Sequence, residues 1–554
     1  MFKNKVVLKT IALCTAVVLS FTAFVFSICN LVVEDTVKYG IVIDEEDVTN
    51  KNANNIIGNN RVKYNERNNT LILNNAVLDG DEFGILASRD LTIEVRGQNV
   101  IKVDEDDESV AGIALFQNHI MYDVTFVGKG TLNIISEDTI GYNNFGIYAD
   151  TVTINGPTIN IALGNASANG GSSVGVSCNN FVMHSGELTV ETGVGEESLG
   201  LVAYDDINVF DGSMFIIAHD AELYSKGVYS GGNFIMHAGD VSVSGGNVVH
   251  GDSYGIETIG NFILHGGSVF AYAGESEEYF SEGIQCGGNF IVNNGEVSAY
   301  GLDGQESYGI VVEGNFNVYG EVIDVIEEPG SEFPTYVFDS NIWAESGNAT
   351  GDSVGLYVNG NISLEGAIVE VLSSVSAEGN SYGTLVENNF DGKSGEFYSV
   401  ANEAAISSQG IKCNGNMILE GAIVSGEANV AEVAYGVFVN GNLIVTSGDV
   451  IGFAVEESTS NYGVYIMGDS IVYDGGISAV ARVSVNGIGF ASKGTLELLG
   501  GGVLFQGGIA SIIEIDFNST DYSYNECYTS LTPEVIEAYN SANLDTYVRI
   551  IIEK

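Results

Sequence analysis

The stretch YGIETIGNFILHGGSVFAY, residues 254–272, decides the fold. It divides into three short runs, GIET, NFIL and SVFAY, each rich in β-branched and aromatic side chains and bounded by glycine or asparagine. Such runs read as strands separated by tight turns. The phrase that opens the stretch, a glycine followed by an aliphatic residue, returns fifteen times between Phe83 and Phe490. Its glycines are Gly84, Gly112, Gly146, Gly175, Gly200, Gly227, Gly255, Gly283, Gly309, Gly355, Gly383, Gly410, Gly436, Gly463 and Gly487, most of them 24 to 29 residues apart. A steady period of this size marks a stacked repeat, because one unit cannot bury its own apolar face and must lean on its neighbours.

Comparing the copies gives the register of the first strand. The residue after the glycine is aliphatic in fourteen of fifteen copies, Thr384 being the exception. Two positions later the residues are small or apolar, as at Ala87, Cys178, Cys286, Val358, Cys413 and Phe490. The position between is mixed: Ser177, Glu257, Gln285 and Lys412, but also Tyr148, Tyr229, Tyr357, Phe438 and Tyr465. Alternation of this kind puts two columns inside and one outside. Three strands per repeat and no helical period predict an all-β fold, a right-handed parallel β-helix solenoid of about 15 rungs. Leucine-rich repeats lack support because their leucine spacing is missing, and calcium-binding nonapeptide repeats because no GGxGxD string occurs.

The ends depart from the repeat. Residues 1–33 combine Lys3, Lys5 and Lys9 with an apolar run from Ile11 to Val33, which reads as a signal peptide or an N-terminal membrane anchor. Residues 38–82 read as an N-terminal cap, 83–508 as the repeats and 509–554 as a C-terminal cap with one short helix near Pro533 to Ala542. The interval from Gly309 to Gly355 is long at 46 residues and holds Pro329, Pro334 and the single tryptophan, Trp343. It predicts a loop over 327–346 that stands out from the stack.

Composition fits a secreted or cell-surface protein. There are 73 acidic residues against 19 Lys and Arg, a formal net charge of −54. Loss of residues 1–33 would remove three lysines and no acid, leaving −57. Nucleic acid is excluded as a partner, because so few cations cannot neutralise phosphates. Contact with a membrane is expected only through the N-terminal segment. Cys178, Cys286 and Cys413 share an inward column several rungs apart, too far for disulfides, and read as small apolar residues.

Four sets of side chains invite a functional reading. His184, His237 and His265 follow equivalent strands, and a solvated column explains them better than zinc, which wants a third ligand. Asn233, Asn261, Asn289, Asn315, Asn361, Asn416 and Asn442, each just after a glycine, read as a structural ladder at one corner. Glu187, Asp240, Glu296 and Glu321 each follow the glycine before the third strand, where stacked carboxylates would repel one another. Calcium, bound through their oxygens, is the one cofactor this pattern admits. Tyr148, Tyr229, Tyr357, Phe438 and Tyr465 should point outward from a flat sheet, where rigid rings suit stacking on sugars. Tyr254, Tyr308, Tyr382, Tyr435 and Tyr462, just before the glycine, read instead as an inward or edge-on ladder.

The stretches VKYNERNNTLILNNA (62–76) and DLTIEVRGQNVI (90–101), with the first repeat phrase between them, resemble the opening of secreted parallel β-helix proteins of anaerobic bacteria. These are the carbohydrate-binding domain-containing type, with a pectate-lyase-like fold. The resemblance implies a secreted or cell-surface location and binding of polysaccharide or cell-surface glycan, and it brings no catalytic motif. No catalytic residue is assigned from the sequence either. Basic residues such as Lys129, Lys226, Lys412 and Arg482 are scattered singly, and the ordered motifs of polygalacturonases do not occur. The expectation is a non-catalytic carbohydrate-binding solenoid, with an adhesive spike recognising protein and an unrecognised polysaccharide lyase as the alternatives.

Overall fold

The computed structural model describes residues 36–104, 109–139, 142–167, 170–326, 335–454, 458–481, 486–506, 508–515 and 547–552. Residues 1–33, the helix expected near Pro533 to Ala542, and Cys14, Cys29 and Cys527 lie outside them. The described residues are all β, without a helix, and form a parallel β-solenoid of about fifteen turns. No helix among them is long and apolar enough to cross a membrane. They fall into two compact units, one within Met1–Tyr229 and one within Ser230–Lys554.

In the first unit the opening strands of successive turns are Phe83–Ala87, Val110–Gln117, Asn144–Tyr148, Ser172–Cys178, Gly195–Ala203 and Ala221–Ser230. Lys38–Ile43 lies antiparallel along Phe83–Ala87, with Ile41 opposite Ala87, and so occupies the edge that the first turn would leave unpaired. In the second unit nine such strands stack in register, from Asp252–Thr258 to Asn486–Leu498. At the far end Tyr547–Ile552 pairs antiparallel with Gly501–Gln506.

The repeat phrase has a packing reason. The aliphatic residue after each glycine, from Ile85 through Ile284 to Val464, is fully buried. A Cβ on the glycine itself would meet the third strand of the same turn, 2.1 Å from Ile101 Cγ2 at Gly84 and 2.2 Å from Ile134 Cγ2 at Gly112. Close approach, not a left-handed backbone, therefore demands glycine here. Thr384, the one polar exception, is accommodated by a matching exception: its hydroxyl lies 2.8 Å from that of buried Ser399, which donates in turn to the Gly410 carbonyl. In the last copy the in-register pair is Gly489-Phe490 and not Gly487-Ile488, since Val464 pairs with Phe490, which is fully buried, while Ile488 is only partly so.

The second strands carry an internal aromatic stack. Phe234, Phe262, Phe290 and Phe316 lie fully buried, with successive ring centroids 5.1, 4.7 and 5.1 Å apart. At the adjoining corner the asparagines form the expected ladder. Asn261, Asn289, Asn315, Asn361, Asn389, Asn416 and Asn442 each donate a backbone N–H to the side-chain oxygen of the preceding asparagine, at 2.8 to 3.1 Å. Asn389 belongs to it although asparagine, not glycine, precedes it. Asn315→Ala would leave the Asn361 N–H without its acceptor, and should cost about 1–2 kcal/mol of stability. Urea unfolding with an unchanged midpoint would show that the ladder contributes nothing.

The long interval is an insertion with different bounds from the expected 327–346. Val322–Ile326 and Thr335–Phe338 form an antiparallel hairpin, and 327–334 lie outside the described residues. Trp343 is not in a loop. It sits in Ser340–Glu345, the third strand of its turn, between Ser298 and Glu370 of the neighbouring strands.

Candidate functional site

Because the glycine and the aliphatic residue after it both face the interior, simple alternation breaks at each phrase. The residue before the glycine and the residue three positions later therefore share the outer face. Tyr435 and Phe438 demonstrate this, with ring centroids 5.3 Å apart across one strand. Tyr435 and Tyr462, expected inward or edge-on, thus belong to the same surface as Phe438 and Tyr465, whereas Tyr254 and Tyr382 are buried.

The two units use this surface differently. In the first it is an apolar cluster closed to solvent. Tyr148, expected to be exposed, is only 7% exposed, its ring 5.5 Å from Phe145 and edge-on to Phe116 at 5.8 Å. Ala111, Ala114, Val174 and Val202 complete the cluster, and Met121 and Tyr229 pack against it. Met121 comes from Ile120–Met121, which folds back antiparallel on the opening strand. Burial pushes the Tyr148 hydroxyl up to about 12. Tyr229 is half-buried, with the Lys226 ammonium 5.1 Å from its ring centre. Neither ring offers a free face for a ligand.

In the second unit the surface bears partly exposed rings at Tyr357, Tyr435, Phe438, Tyr462 and Tyr465, while Tyr382 is buried. Tyr357 is half-buried, opposite Leu385 on the next strand. Its hydroxyl is raised by burial and by Glu387 and Glu313. Tyr382 follows, with the Lys412 ammonium 5.0 Å from its ring centre, and burial followed by Asp352 and Glu387 lifts its hydroxyl to about 12. Beyond them four rings meet: Tyr435 and Tyr462 are stacked at 5.0 Å, and Phe438 and Tyr465 at 5.5 Å. Edge contacts at 5.1 to 5.6 Å join the two stacks. All four remain partly exposed. Of the five residues expected to form the aromatic face, only Phe438 and Tyr465 are neighbours. Tyr435 and Tyr462 complete their cluster.

The expected calcium column does not assemble. Thr158 and Ser213 flank Glu187 in the ladder, and the Thr158 hydroxyl donates to it at 3.1 Å. Ser268 separates Asp240 from Glu296 and donates to Asp240 at 2.6 Å. Two turns set the strands that carry those carboxylates roughly 9.6 Å apart, whereas two oxygens on one calcium, each bound at about 2.3–2.6 Å, lie at most about 5 Å from each other. Hydroxyls between the acids remove the repulsion on which the calcium expectation rests. Glu321 is not in the third-strand ladder at all. It stands at the base of the inserted hairpin, its N–H donating to Asp339 at 2.7 Å, and Asn341 fills the ladder position beside Glu296. Among the described residues no three His, Cys, Asp or Glu side chains are grouped to hold a metal.

His237 and His265 stack at 5.0 Å, as adjacent turns require, and His265 meets the Asn293 amide at 3.1 Å. The Cys178, Cys286 and Cys413 thiols are buried and free, their ionisation suppressed by burial. No protein-family model, curated protein or solved structure matches the chain. Its site must be read from its own geometry.

Proposed function

We propose that this protein is an extracellular, non-catalytic carbohydrate-binding solenoid that holds polysaccharide on the outer face of the second unit's opening strands. The observation that carries this reading is the cluster of Tyr435, Phe438, Tyr462 and Tyr465, four partly exposed rings held against one another on a rigid parallel ladder. Sugar rings present C–H faces that pack on aromatic faces. Strands paired in parallel with a neighbour on each side hold those faces in place with little ordering left to do on binding. Tyr357, half-buried three turns before Tyr435, offers a further ring toward earlier turns, so a chain of several sugar units fits the surface better than one.

Charge selects among glycans. A formal net charge of −54 repels polyuronates and sulfated chains, and Lys412 is the one cation described on this aromatic stretch. Neutral polysaccharide is the favoured ligand. Location outside the cytoplasm is supported by the lysines and apolar run of residues 1–33 and by the resemblance of residues 62–101 to secreted β-helix proteins. A glycan array probed with the full chain, with calcium and with chelator, tests the reading. The expected result is binding to neutral polysaccharides that chelator leaves unchanged. Binding to none of them would contradict it.

A further inference from the structure

The third strands of the second unit carry an outer face of their own, apart from the opening strands. Seven of them stack parallel and in register, from Ser268–Tyr272 through Ile368–Leu372 to the second half of Leu443–Ala454. Alternation turns three residues of each strand outward, and those positions are the partly or fully exposed ones. Eleven of these twenty-one outward residues are aromatic or aliphatic, six are Asp or Glu, and none is Lys or Arg. Phe270 and Tyr398 are 43% and 36% exposed, and Ile368, Leu372 and Ile451 are half-buried.

The middle of this face is charged. Trp343, Glu370 and Tyr398 follow one another in a single column, one on each of three neighbouring strands. Each ring is already tied to an acid on its own strand. The Trp343 indole N–H donates to Glu345 at 3.2 Å, and the Tyr398 hydroxyl donates to Glu396 at 2.6 Å. Glu370 is exposed between the two rings, and its carboxylate has no hydrogen-bond or ion-pair partner among the described residues. Lys393, in the turn that leads into the Tyr398 strand, is held instead by Glu365 at 3.1 Å. An unpaired carboxylate flanked by aromatic rings favours a cation, through charge and through attraction to the rings.

Size and charge select the occupant. Seven strands about 4.8 Å apart, crossed by three columns about 7 Å apart, cover roughly 400 Å². A standard protein interface buries about 800 Å² on each partner, so this face suits a segment of chain better than a second copy of the molecule. Two copies would also set acidic faces against each other. Sugar is disfavoured because Ile368, Leu372, Val400, Ile423 and Ile451 are aliphatic, and sugars pack best on flat rings. We infer that this face docks a cationic, amphipathic polypeptide segment, with Lys or Arg directed at Glu370 and apolar side chains laid against the isoleucines and rings. It shares no residue with the proposed glycan surface and does not rest on that reading.

Trp343 is the single tryptophan of the chain, so intrinsic tryptophan emission reports this face alone. The experiment titrates the full chain with an alternating lysine–leucine peptide of about nine residues, which spans roughly 30 Å when extended. A lysine–serine peptide of the same length and cellohexaose are titrated alongside. A saturable emission shift is expected with lysine–leucine, weakened about tenfold in Glu370→Lys and to a smaller degree in Glu370→Gln. Glu222→Lys, an exposed site in the first unit, makes the same change in net charge and should leave the shift unaltered. Equal weakening by Glu222→Lys would show general attraction to an acidic molecule and overturn the inference. Lysine–serine binding as tightly as lysine–leucine would overturn the apolar contribution, and so the docking of an amphipathic segment. An emission shift with cellohexaose but not with the peptide would give the face to glycan. A dimer in sedimentation that Glu370→Lys dissolves, with no response to the peptide, would give it to a second copy. No emission shift with any of them also overturns it.

Discussion

Phe438→Ala combined with Tyr465→Ala is expected to weaken neutral polysaccharide binding at the opening-strand face by about 3 kcal/mol, somewhat over a hundredfold. The two rings stack on each other at 5.5 Å and each also touches Tyr435, so removing both leaves Tyr435 and Tyr462 without their lateral support. Loss of the flat surface and loss of order in the remaining rings then act together. Both side chains are on the outer face, whereas the interior neighbours Val437, Val439, Val464 and Ile466 are untouched and fully buried. Thermal stability should therefore fall only slightly. A Phe438→Leu/Tyr465→Leu variant keeps apolar bulk but not planarity, and it should bind as poorly as the alanine form. If leucine restored binding, simple burial of apolar area rather than ring stacking would be the operative force.

The second large effect concerns the fold. Gly283→Val is expected to destabilise the second unit by about 3 kcal/mol, at the upper end of what overpacking costs. A Cβ there would lie 2.5 Å from the Tyr300 backbone nitrogen and 2.6 Å from the Gly309 carbonyl oxygen. Both are main-chain atoms, one in the third strand of the same turn and one in the next strand of the ladder, so neither can swing aside as a side-chain tip would. The strands must part, and the adjacent turns lose hydrogen bonds with them. Gly283→Ala adds the same Cβ without the branched methyls and should fall between the two. Urea unfolding of the three proteins checks the order, and a valine variant as stable as the parent would show that the phrase needs glycine for some other reason.

The close approach at each glycine also decides which parts of the molecule are legible in its sequence. Period, strand number and parallel stacking were legible because every turn repeats the same physical problem. The Asn233 to Asn442 ladder and the His237–His265 pair followed from the period alone. The outward face was misread where alternation was assumed to pass unbroken through the glycine. Two successive inward positions shift the parity, which is why Tyr435 and Tyr462 sit beside Phe438 and Tyr465. The signal was present: a neighbour that is aliphatic in fourteen of fifteen copies, beside a residue with no side chain, implies that both face the core.

Other departures came from residues that do not repeat. Burial of Tyr148 depends on Phe116 and on Met121 in a short hairpin that the repeat does not carry at the other described opening strands. Glu321 left the acidic column because an insertion begins there, and Trp343 joined the ladder because that insertion ends earlier than its prolines suggested. Asn-Gly-Ile-Gly-Phe at 486–490 offers two glycine phrases, and only burial of Phe490 chooses between them. Acidic residues looked like a column when the serines between them, Ser213 and Ser268, were read as a different class.

The most direct measurement is the calorimetric titration of the full chain with the neutral polysaccharide that binds best, repeated in excess chelator. The same heat and the same affinity are expected in both, because stacked rings and hydroxyl contacts need no cation. Binding that vanished with chelator would mean that carboxylate-held metal, and not the Tyr435–Tyr465 surface, makes the contact; no heat at all would contradict the carbohydrate-binding role itself.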